Sequence, residues 1–426
     1  MAITSEDVDQ AELFEPELYL DKQGPGWFSI LSKPSGVARQ SAYELRLLPK
    51  VVEAVDPTID TYISQATFRK PNRLSVNLRN VGLLFTDLDT YESKGLCGKT
   101  PEQQAALLLL FCGEEEIPTP SLILFSGQGL QAKWILDEAI GPSNLTEWNQ
   151  AQLALVKILE PFAADVLAKD ISRVLRLDRT VNTKSGEVAR VLHIAGGHPD
   201  CIAHYSFEEL RAILLEHCPE LTRPAQPRTA KSTKTTHPVL YLPREISLQR
   251  LNWYRLYDLR DLWALRGGVQ EHYRELTLFW ELNFLLRAKP VSVGQMWNEA
   301  QGLAAEIGPQ WFQEEVRRST LSTLYRKAQE TAAGVRIEFQ GREYPPLYTP
   351  RNQTLIDLFR ITAKEEMSLR TIISRTERER RRREKRRAEG AKPREEWLRD
   401  SLERQKPWEE EGISRRWWYE MQRRNV

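Results

Sequence analysis

GLLFTDLD, residues Gly82–Asp89, is the stretch of this sequence that indicates the fold most directly. Four small or apolar residues lead towards two carboxylates, Asp87 and Asp89, which are one residue apart. Side chains alternate between the two faces of a β-strand, so we expect both carboxylates on one face and Leu88 in the core. Neighbouring carboxylates repel each other unless a cation lies between them, and Mg²⁺ or Mn²⁺ prefers such oxygen ligands.

A second informative segment, Pro120–Trp134, predicts a β-hairpin. Two apolar runs flank a Ser-Gly-Gln-Gly turn that starts at Ser126, and glycines at this spacing are typical of a tight connection. Gln131 and Lys133 alternate onto one face of the second strand, where both could reach a bound anion.

A third segment, Asp170–Lys184, combines one more carboxylate with two arginines and a polar end. Arg173 and Arg176 share a face if this segment is helical and point to opposite sides if it is a strand. The residues alone leave both arrangements open.

In this order, the three segments resemble the archaeo-eukaryotic primase superfamily, and most of all the replication primases of plasmids and phages. The resemblance covers roughly residues 25–215. It implies a catalytic domain with an RRM-like sheet and two Mg²⁺ or Mn²⁺ ions held by Asp87, Asp89 and Asp170. The implied activity is that of a DNA primase or primase-polymerase, a template-dependent nucleotidyltransferase that makes primers for DNA replication.

The same resemblance implies residues that contact the incoming nucleotide: Ser126, Gln131, Lys133, Arg173 and Arg176. The family usually has histidine at the position of Gln131, and glutamine can donate a hydrogen bond to a phosphate but carries no charge. The expected partners are nucleoside triphosphates and single-stranded DNA template, with a replicative helicase as a further candidate.

Two functions of other kinds remain open from the sequence. One is a replication initiator or DNA-binding protein that kept the primase fold with weak or no catalysis, a reading favoured by Gln131. The other is a glycosyltransferase whose Asp-x-Asp motif holds the metal of a sugar nucleotide. The arginines of the third segment argue against the glycosyltransferase.

The order of predicted elements indicates an α+β protein, because strands and helices mix without strict alternation. We expect a catalytic domain over residues 1–220, with residues 1–24 as a mobile lead-in, and a polar, basic linker over 221–240. An all-helical accessory domain follows over 241–333, where aromatic residues at helical spacing predict a packed core. Residues 334–426 form a basic C-terminal region, in which Thr354–Ser374 predicts a helix.

The end of the chain predicts a helix-turn-helix. Helices are expected over Pro393–Gln405 and Pro407–Glu411, before a Gly412 turn and a helix capped by Ser414. Four residues of this last helix are the predicted DNA contacts, to duplex DNA in particular: Arg415, Arg416, Trp418 and Tyr419. Residues 375–426 carry a net charge of about +6, whereas the whole chain carries +1, so the basic character is concentrated here.

Composition narrows the possible locations, partners and metal ions of the protein. No apolar run approaches the roughly 18 residues that a membrane-spanning helix needs, so no membrane partner is expected. The four cysteines form no Cys-x-x-Cys pair, which favours a reducing, cytoplasmic location. His198, Cys201, His204 and Cys218 do not have the spacing of a standard zinc site, and zinc is not expected.

Overall fold

The structure is a computed structural model of the chain, and it describes residues 14–20, 24–221, 244–288, 293–314, 321–339, 341–390 and 405–424. The chain divides into two compact units, Met1–Thr349 and Pro350–Val426. The linker predicted at 221–240 and the helix predicted at Pro393–Gln405 lie almost entirely outside the described residues. The domain boundaries proposed from the sequence stay predictions.

The first unit is built on a nine-stranded sheet in which every strand pairing is antiparallel. Its strand order is β8-β3-β1-β4-β5-β7-β6-β9, and β2 pairs with β1 beside this path. The strands are β1 Trp27–Ser32, β2 Arg39–Glu44, β3 Thr61–Ser64, β4 Thr67–Phe68, β5 Leu78–Leu88, β6 Leu122–Phe125, β7 Leu130–Ile140, β8 Val174–Arg176 and β9 Arg190–Ile194. A two-stranded hairpin, β10 Ile337–Phe339 and β11 Arg342–Tyr344, lies later in the same unit.

Helices complete the first unit. They are α1 Leu48–Glu53, α2 Pro101–Glu114, α3 Leu145–Ile158, α4 Phe207–Glu216, α5 Arg244–Leu265, α6 Arg274–Ala288, α7 Met296–Ile307, α8 Pro309–Glu314 and α9 Ser322–Ala332. The predicted α+β class is therefore confirmed, as is the helical character of the stretch after the sheet. None of the helices in the described ranges is long and apolar enough to cross a bilayer.

Strand β5 has a long edge that β7 does not cover, and side chains of α3 satisfy much of it. β4 pairs only with the start of the strand. Further along, Gln152 accepts a hydrogen bond from the Phe85 amide at 3.2 Å and donates another to the Phe85 carbonyl. Trp148 donates from Nε1 to the Leu83 carbonyl at 3.0 Å. These contacts supply the partners that buried backbone groups require.

The segment Phe14–Leu20 packs against the sheet rather than forming a mobile lead-in. Glu15 and Leu20 are buried, and Leu20 belongs to an apolar cluster with Phe28, Ile30 and others. The expectation of a mobile start is therefore wrong for these residues. The buried partner of Glu15, Lys133, lies far away in the sequence, so the local pattern could not predict this contact.

The helices α5–α9 pack through buried aromatic side chains, as the sequence predicted. Trp253, Trp263, Trp280 and Phe284 are all at most 8% exposed. A satisfied core of this kind leaves these rings unavailable for stacking on bases, because their faces are covered by protein.

Carboxylates on α7 join these helices to the sheet. Glu299 accepts hydrogen bonds from the backbone N and Oγ of Ser75 at 3.0 and 2.9 Å, and burial raises its pKa to about 7. Glu306 forms ion pairs with Lys70 at 3.1 Å and Arg260 at 2.7 Å. The basic loop before β5 is thus docked against the helices.

The second unit contains five described helices: α10 Asn352–Phe359, α11 Ala363–Glu366, α12 Arg375–Ala388, α13 Pro407–Glu410 and α14 Arg415–Arg424. The single helix predicted over Thr354–Ser374 is wrong. Arg360 has a φ of 48°, a left-handed conformation that ends α10, and Thr362 caps α11 by accepting from the Glu365 amide.

We expect Gln152→Ala to destabilise the first unit by about 1–3 kcal/mol, because it leaves two buried backbone groups of Phe85 without partners. Urea unfolding monitored by circular dichroism measures this change. Lys157→Ala, on the same helix and partly exposed, is the control and should alter stability by less than about 0.5 kcal/mol. Equal effects of the two substitutions would contradict the role of Gln152 at the edge of β5.

Candidate active site

The three segments singled out in the sequence meet at the end of β5. Gly129 lies so close to the strand that a Cβ there would be 2.3 Å from the Leu88 carbonyl oxygen. Gly127, with a φ of +88°, leaves room for Asn182, whose Cβ would be 2.5 Å from an added Cβ. Asn182 donates to the Ser126 carbonyl at 3.2 Å. The glycines of the turn are therefore required by close packing as much as by backbone conformation.

Asp87 and Asp89 lie at this junction, and both have a raised pKa. Burial raises the pKa of Asp87 to about 7, and the neighbouring charges of Asp89 and Asp165 add to this effect. Burial also raises the pKa of Asp89, which a hydrogen bond from Tyr91 opposes. Carboxylates that are buried next to one another disfavour ionisation unless a cation compensates them.

The third carboxylate near the strand end is Asp165, which belongs to none of the three sequence motifs. Its backbone N donates to the Asp87 carbonyl at 2.8 Å, and the Asp89 N donates to the Ala163 carbonyl at 3.0 Å. Ala163 has a φ of 54°, so the chain turns sharply before this pairing. Nothing in the sequence Ala-Ala-Asp marks this contact, because it depends on which strand edge is left open.

Asp170, the carboxylate that the sequence analysis assigned, lies in a different environment. Its side chain is 3% exposed, and Arg173 Nη2 is 3.3 Å from Asp170 Oδ2. Its charge also acts to raise the pKa of Arg73, in the loop before β5, and of Glu299, on α7. The structure thus places the backbone of Asp165 against that of Asp87, and it pairs Asp170 with Arg173.

The donor set at the strand end fits a divalent metal ion in its chemistry. Asp87, Asp89 and Asp165 supply hard carboxylate oxygens, and the charge of Asp165 raises the pKa of both Asp87 and Asp89, a repulsion that a bound cation would relieve. In the described ranges, no three His, Cys, Asp or Glu side chains already converge as metal ligands. Of the two cysteines considered for a zinc site, Cys218 is buried and Cys201 is exposed.

Two arginines bring positive charge to the same place. Both Arg173 and Arg176 lower the pKa of Asp87. Arg176, the last residue of β8, donates to Asp60 at 2.8 Å and to the Tyr62 hydroxyl at 2.9 Å. Arg173 precedes the strand, and its side chain is 24% exposed. Lys184, which the sequence analysis did not assign, also lowers the pKa of Asp89.

Gln131 and Lys133 have different environments although they share a strand face. Gln131 is directly opposite Asp87 in the β5–β7 register and is buried, and its Oε1 has no hydrogen-bond partner among the described residues. Lys133 is 0% exposed and forms an ion pair with Glu15, while its Nζ is 3.2 Å from the Tyr19 hydroxyl. The charge of Lys133 is therefore neutralised within the protein.

The predicted DNA-contacting residues form a small cluster in the second unit. Trp418 and Tyr419 both pack on Trp408, with ring centroids 6.3 Å apart in each case. Arg415 lies 5.5 Å over the Trp408 ring, and Arg416 is 90% exposed with Glu420 at 3.4 Å. The short helix, the Gly412 turn at φ +66° and the Ser414 cap are present as predicted.

The chain is similar in sequence to one curated protein. No protein-family model matches it. A replication protein of Clostridium perfringens is 29% identical over 315 residues, which make up 74% of this chain and 68% of that protein. This relative agrees with the predicted resemblance to the replication primases of plasmids and phages.

Solved structures of primases also match the chain. The domain of the cyanophage S-2L primase-polymerase is 16% identical and covers 47% of this chain and 98% of its own, with a TM-score of 0.33. The catalytic domain of primase RepB′, in complex with initiator DNA, is 16% identical and covers 48% and 92%, with a TM-score of 0.30. A structure of primase RepB′ is 14% identical and covers 74% and 92%, with a TM-score of 0.30.

We expect Gly129→Ala to destabilise the first unit by roughly 1–3 kcal/mol, because the new methyl group collides with the Leu88 backbone, which cannot move aside cheaply. Gly95→Ala is the matched control, since a Cβ at Gly95 meets no atom within 4 Å. Thermal unfolding of both variants measures the difference. Similar midpoints would show that the turn does not pack on β5 in this way.

Proposed function

We propose that this chain is a primase-type nucleotidyltransferase that synthesises primers for DNA replication on a single-stranded template. The observation that carries the proposal is the backbone contact of Asp165 with Asp87 beside Asp89 at the end of β5, with Arg173 and Arg176 close enough to lower the pKa of Asp87 and Lys184 close enough to lower that of Asp89. Carboxylates that share a cation, next to basic side chains, suit a reaction in which phosphates must be held and their charge neutralised. The replication-protein relative supports the biological setting.

In this proposal the three carboxylates hold Mg²⁺ or Mn²⁺. Such ions, when bound, lower the barrier to transfer by neutralising charge on the attacking and leaving oxygens. Arg173, with a partly exposed side chain, binds the triphosphate of the incoming nucleotide, while Arg176 is held against Asp60 and Tyr62 and adds positive potential. The side-chain amide of Gln131, opposite Asp87, donates to a phosphate oxygen in place of a charged histidine.

Asp170 is assigned a positioning role in this scheme. Its ion pair with Arg173 orients the guanidinium, whereas the sequence-based prediction made Asp170 itself a metal ligand. The two assignments differ in what a neutral substitution does. Loss of a metal ligand removes catalysis, but loss of a positioning carboxylate weakens nucleotide binding first.

Substitution of the carboxylates by asparagine tests the proposal. We expect Asp87→Asn and Asp165→Asn to reduce nucleotide incorporation by about a hundredfold or more, because each removes a charge that the metal ions need. Asp170→Asn should mainly raise the KM for nucleotide. The measurement is template-dependent incorporation of labelled nucleotides on single-stranded DNA with Mn²⁺, alongside Mn²⁺ affinity of each variant.

The control for this series is Asp137→Asn, an exposed carboxylate on the same strand as Gln131. It should leave both incorporation and Mn²⁺ affinity unchanged. Loss of Mn²⁺ affinity in Asp170→Asn but not in Asp165→Asn would establish the sequence-based assignment instead. Absence of incorporation by the unaltered protein on varied templates would contradict the enzymatic proposal.

A second candidate function is a replication initiator that binds DNA on the primase fold without efficient catalysis. It is favoured by the environments of Gln131 and Lys133, which leave this strand face without a free cation. Specific binding to an origin sequence, together with no incorporation under the conditions above, would support this function over the first.

The C-terminal helix α14 is proposed to contact duplex DNA through Arg415 and Arg416. Trp418 and Tyr419 contribute by packing on Trp408, which holds the helix in place, and Tyr419 remains 38% exposed. Basic side chains at the start of a capped helix are well placed to meet phosphates.

We expect the double substitution Arg415→Gln with Arg416→Gln to flatten the log–log salt dependence of duplex binding by about 1.8, since each lost phosphate contact contributes about 0.9. Primer synthesis on a short single-stranded template should be unchanged. Arg351→Gln with Lys364→Gln, two exposed cations elsewhere in the same unit, is the charge-matched control. Identical slopes for the two double variants would mean that α14 does not bind DNA.

A further inference from the structure

Helix α12 carries the densest charge of the described chain. Its fourteen residues, RTERERRRREKRRA, include nine cationic and three acidic side chains. Ser374 caps the helix by accepting from the Glu377 backbone N at 3.2 Å. A run of this composition is commonly a solvated helix, so the pairing of each arginine decides whether the charge has another use.

One side of α12 uses its charges within the protein. Glu377 accepts from Arg380 Nε at 2.7 Å and from Arg381 Nε at 2.7 Å. Arg381 Nη2 also donates to the carbonyls of Glu366 and Met367, at 2.7 and 3.1 Å. These bonds cap the end of α11 and fix the helix to its own unit, so the arginines of this side have a structural role.

The other side of α12 presents three arginines that have no acidic partner among the described residues: Arg378, Arg382 and Arg386. All three are exposed. They are four residues apart, so each is rotated by about 40° and raised by about 6 Å from the last, which forms one stripe about 12 Å long. We call these three residues the arginine stripe.

We propose that the arginine stripe binds the phosphate backbone of duplex DNA without reading its sequence. The inference rests on the proposed function in replication and assigns to α12 a contact separate from that of α14. Duplex DNA carries one negative charge per about 1.7 Å of its axis, so a 12 Å stripe faces roughly seven phosphate charges. A rigid row of guanidinium groups on an already anchored helix can bind them without first ordering a flexible segment.

The composition of α12 favours a duplex over other polyanions. Sites for single-stranded DNA combine positive charge with aromatic side chains on which bases stack, and α12 has none. Helices that bind a membrane surface carry a broad apolar face, whereas the only apolar residue of α12 is Ala388. The composition of α12 therefore fits a helix that neutralises the phosphate backbone of a DNA duplex through charge alone.

The test is a salt titration of binding to a random-sequence duplex by the full chain and by a triple variant, Arg378→Gln, Arg382→Gln and Arg386→Gln. We expect the log–log slope of the variant to be flatter by about 2.7, the contribution of three phosphate contacts. The lysine variant of the same three positions should keep the slope, because the contact depends on charge. Circular dichroism of both variants reports whether α12 remains folded.

The charge-matched control removes three exposed cations of the first unit, with Arg46→Gln, Lys50→Gln and Arg326→Gln. It should keep the duplex slope of the unaltered protein. Equal slopes for the control and the stripe variant would overturn the proposal, and so would a stripe variant that loses only single-stranded DNA. Loss of binding to phosphatidylserine vesicles with duplex binding intact would overturn it in favour of a membrane surface.

Primer synthesis on a short single-stranded template, run with the same variants, separates this inference from the proposed function. Synthesis that persists in a stripe variant with an unchanged slope would refute only the stripe. A flattened slope in a protein that makes no primers would support the stripe and refute the enzymatic proposal.

Discussion

The open edge of β5 is the constraint on which the candidate site depends. A long strand whose second edge is only partly paired must find other partners for its buried amide and carbonyl groups, because each unpaired group costs about 1–3 kcal/mol. Gln152 and Trp148 provide them in the middle of the strand, and the segment Ala163–Asp165 provides them at its end. The segment that supplies hydrogen-bond partners to the end of β5 thus also brings Asp165 next to Asp87.

Local sequence patterns identified those parts of the site that are fixed by short-range geometry. The alternation of β5 placed Asp87 and Asp89 on one face, and the spacing of Ser126–Gly129 predicted a turn. The backbone hydrogen bond between Asp165 and Asp87 could not be predicted from the sequence. It depends on an edge of β5 that other strands, distant in the chain, leave unpaired. The ion pair of Lys133 was hidden for the same reason, since Glu15 lies 118 residues earlier. Periodicity reports which face a side chain occupies, but not what it meets there.

Charge is used in two contrasting ways along the chain. In the first unit, carboxylates on the helices form ion pairs with basic residues, as Glu306 does with Lys70 and Arg260. In the second unit, the acidic residues of α12 engage only some of its arginines and leave a stripe on the exposed side. A net charge of +1 for the whole chain therefore conceals local excesses of either sign.

The ion pair between Glu15 and Lys133 has a practical consequence for anyone who shortens this protein. Deleting the N-terminal segment as a dispensable leader would leave the Lys133 ammonium uncompensated inside the sheet, and stranding one member of a buried pair typically costs about 3–5 kcal/mol. That loss approaches the whole stability margin of many domains. Shorter versions of the first unit should therefore be designed to begin before Phe14.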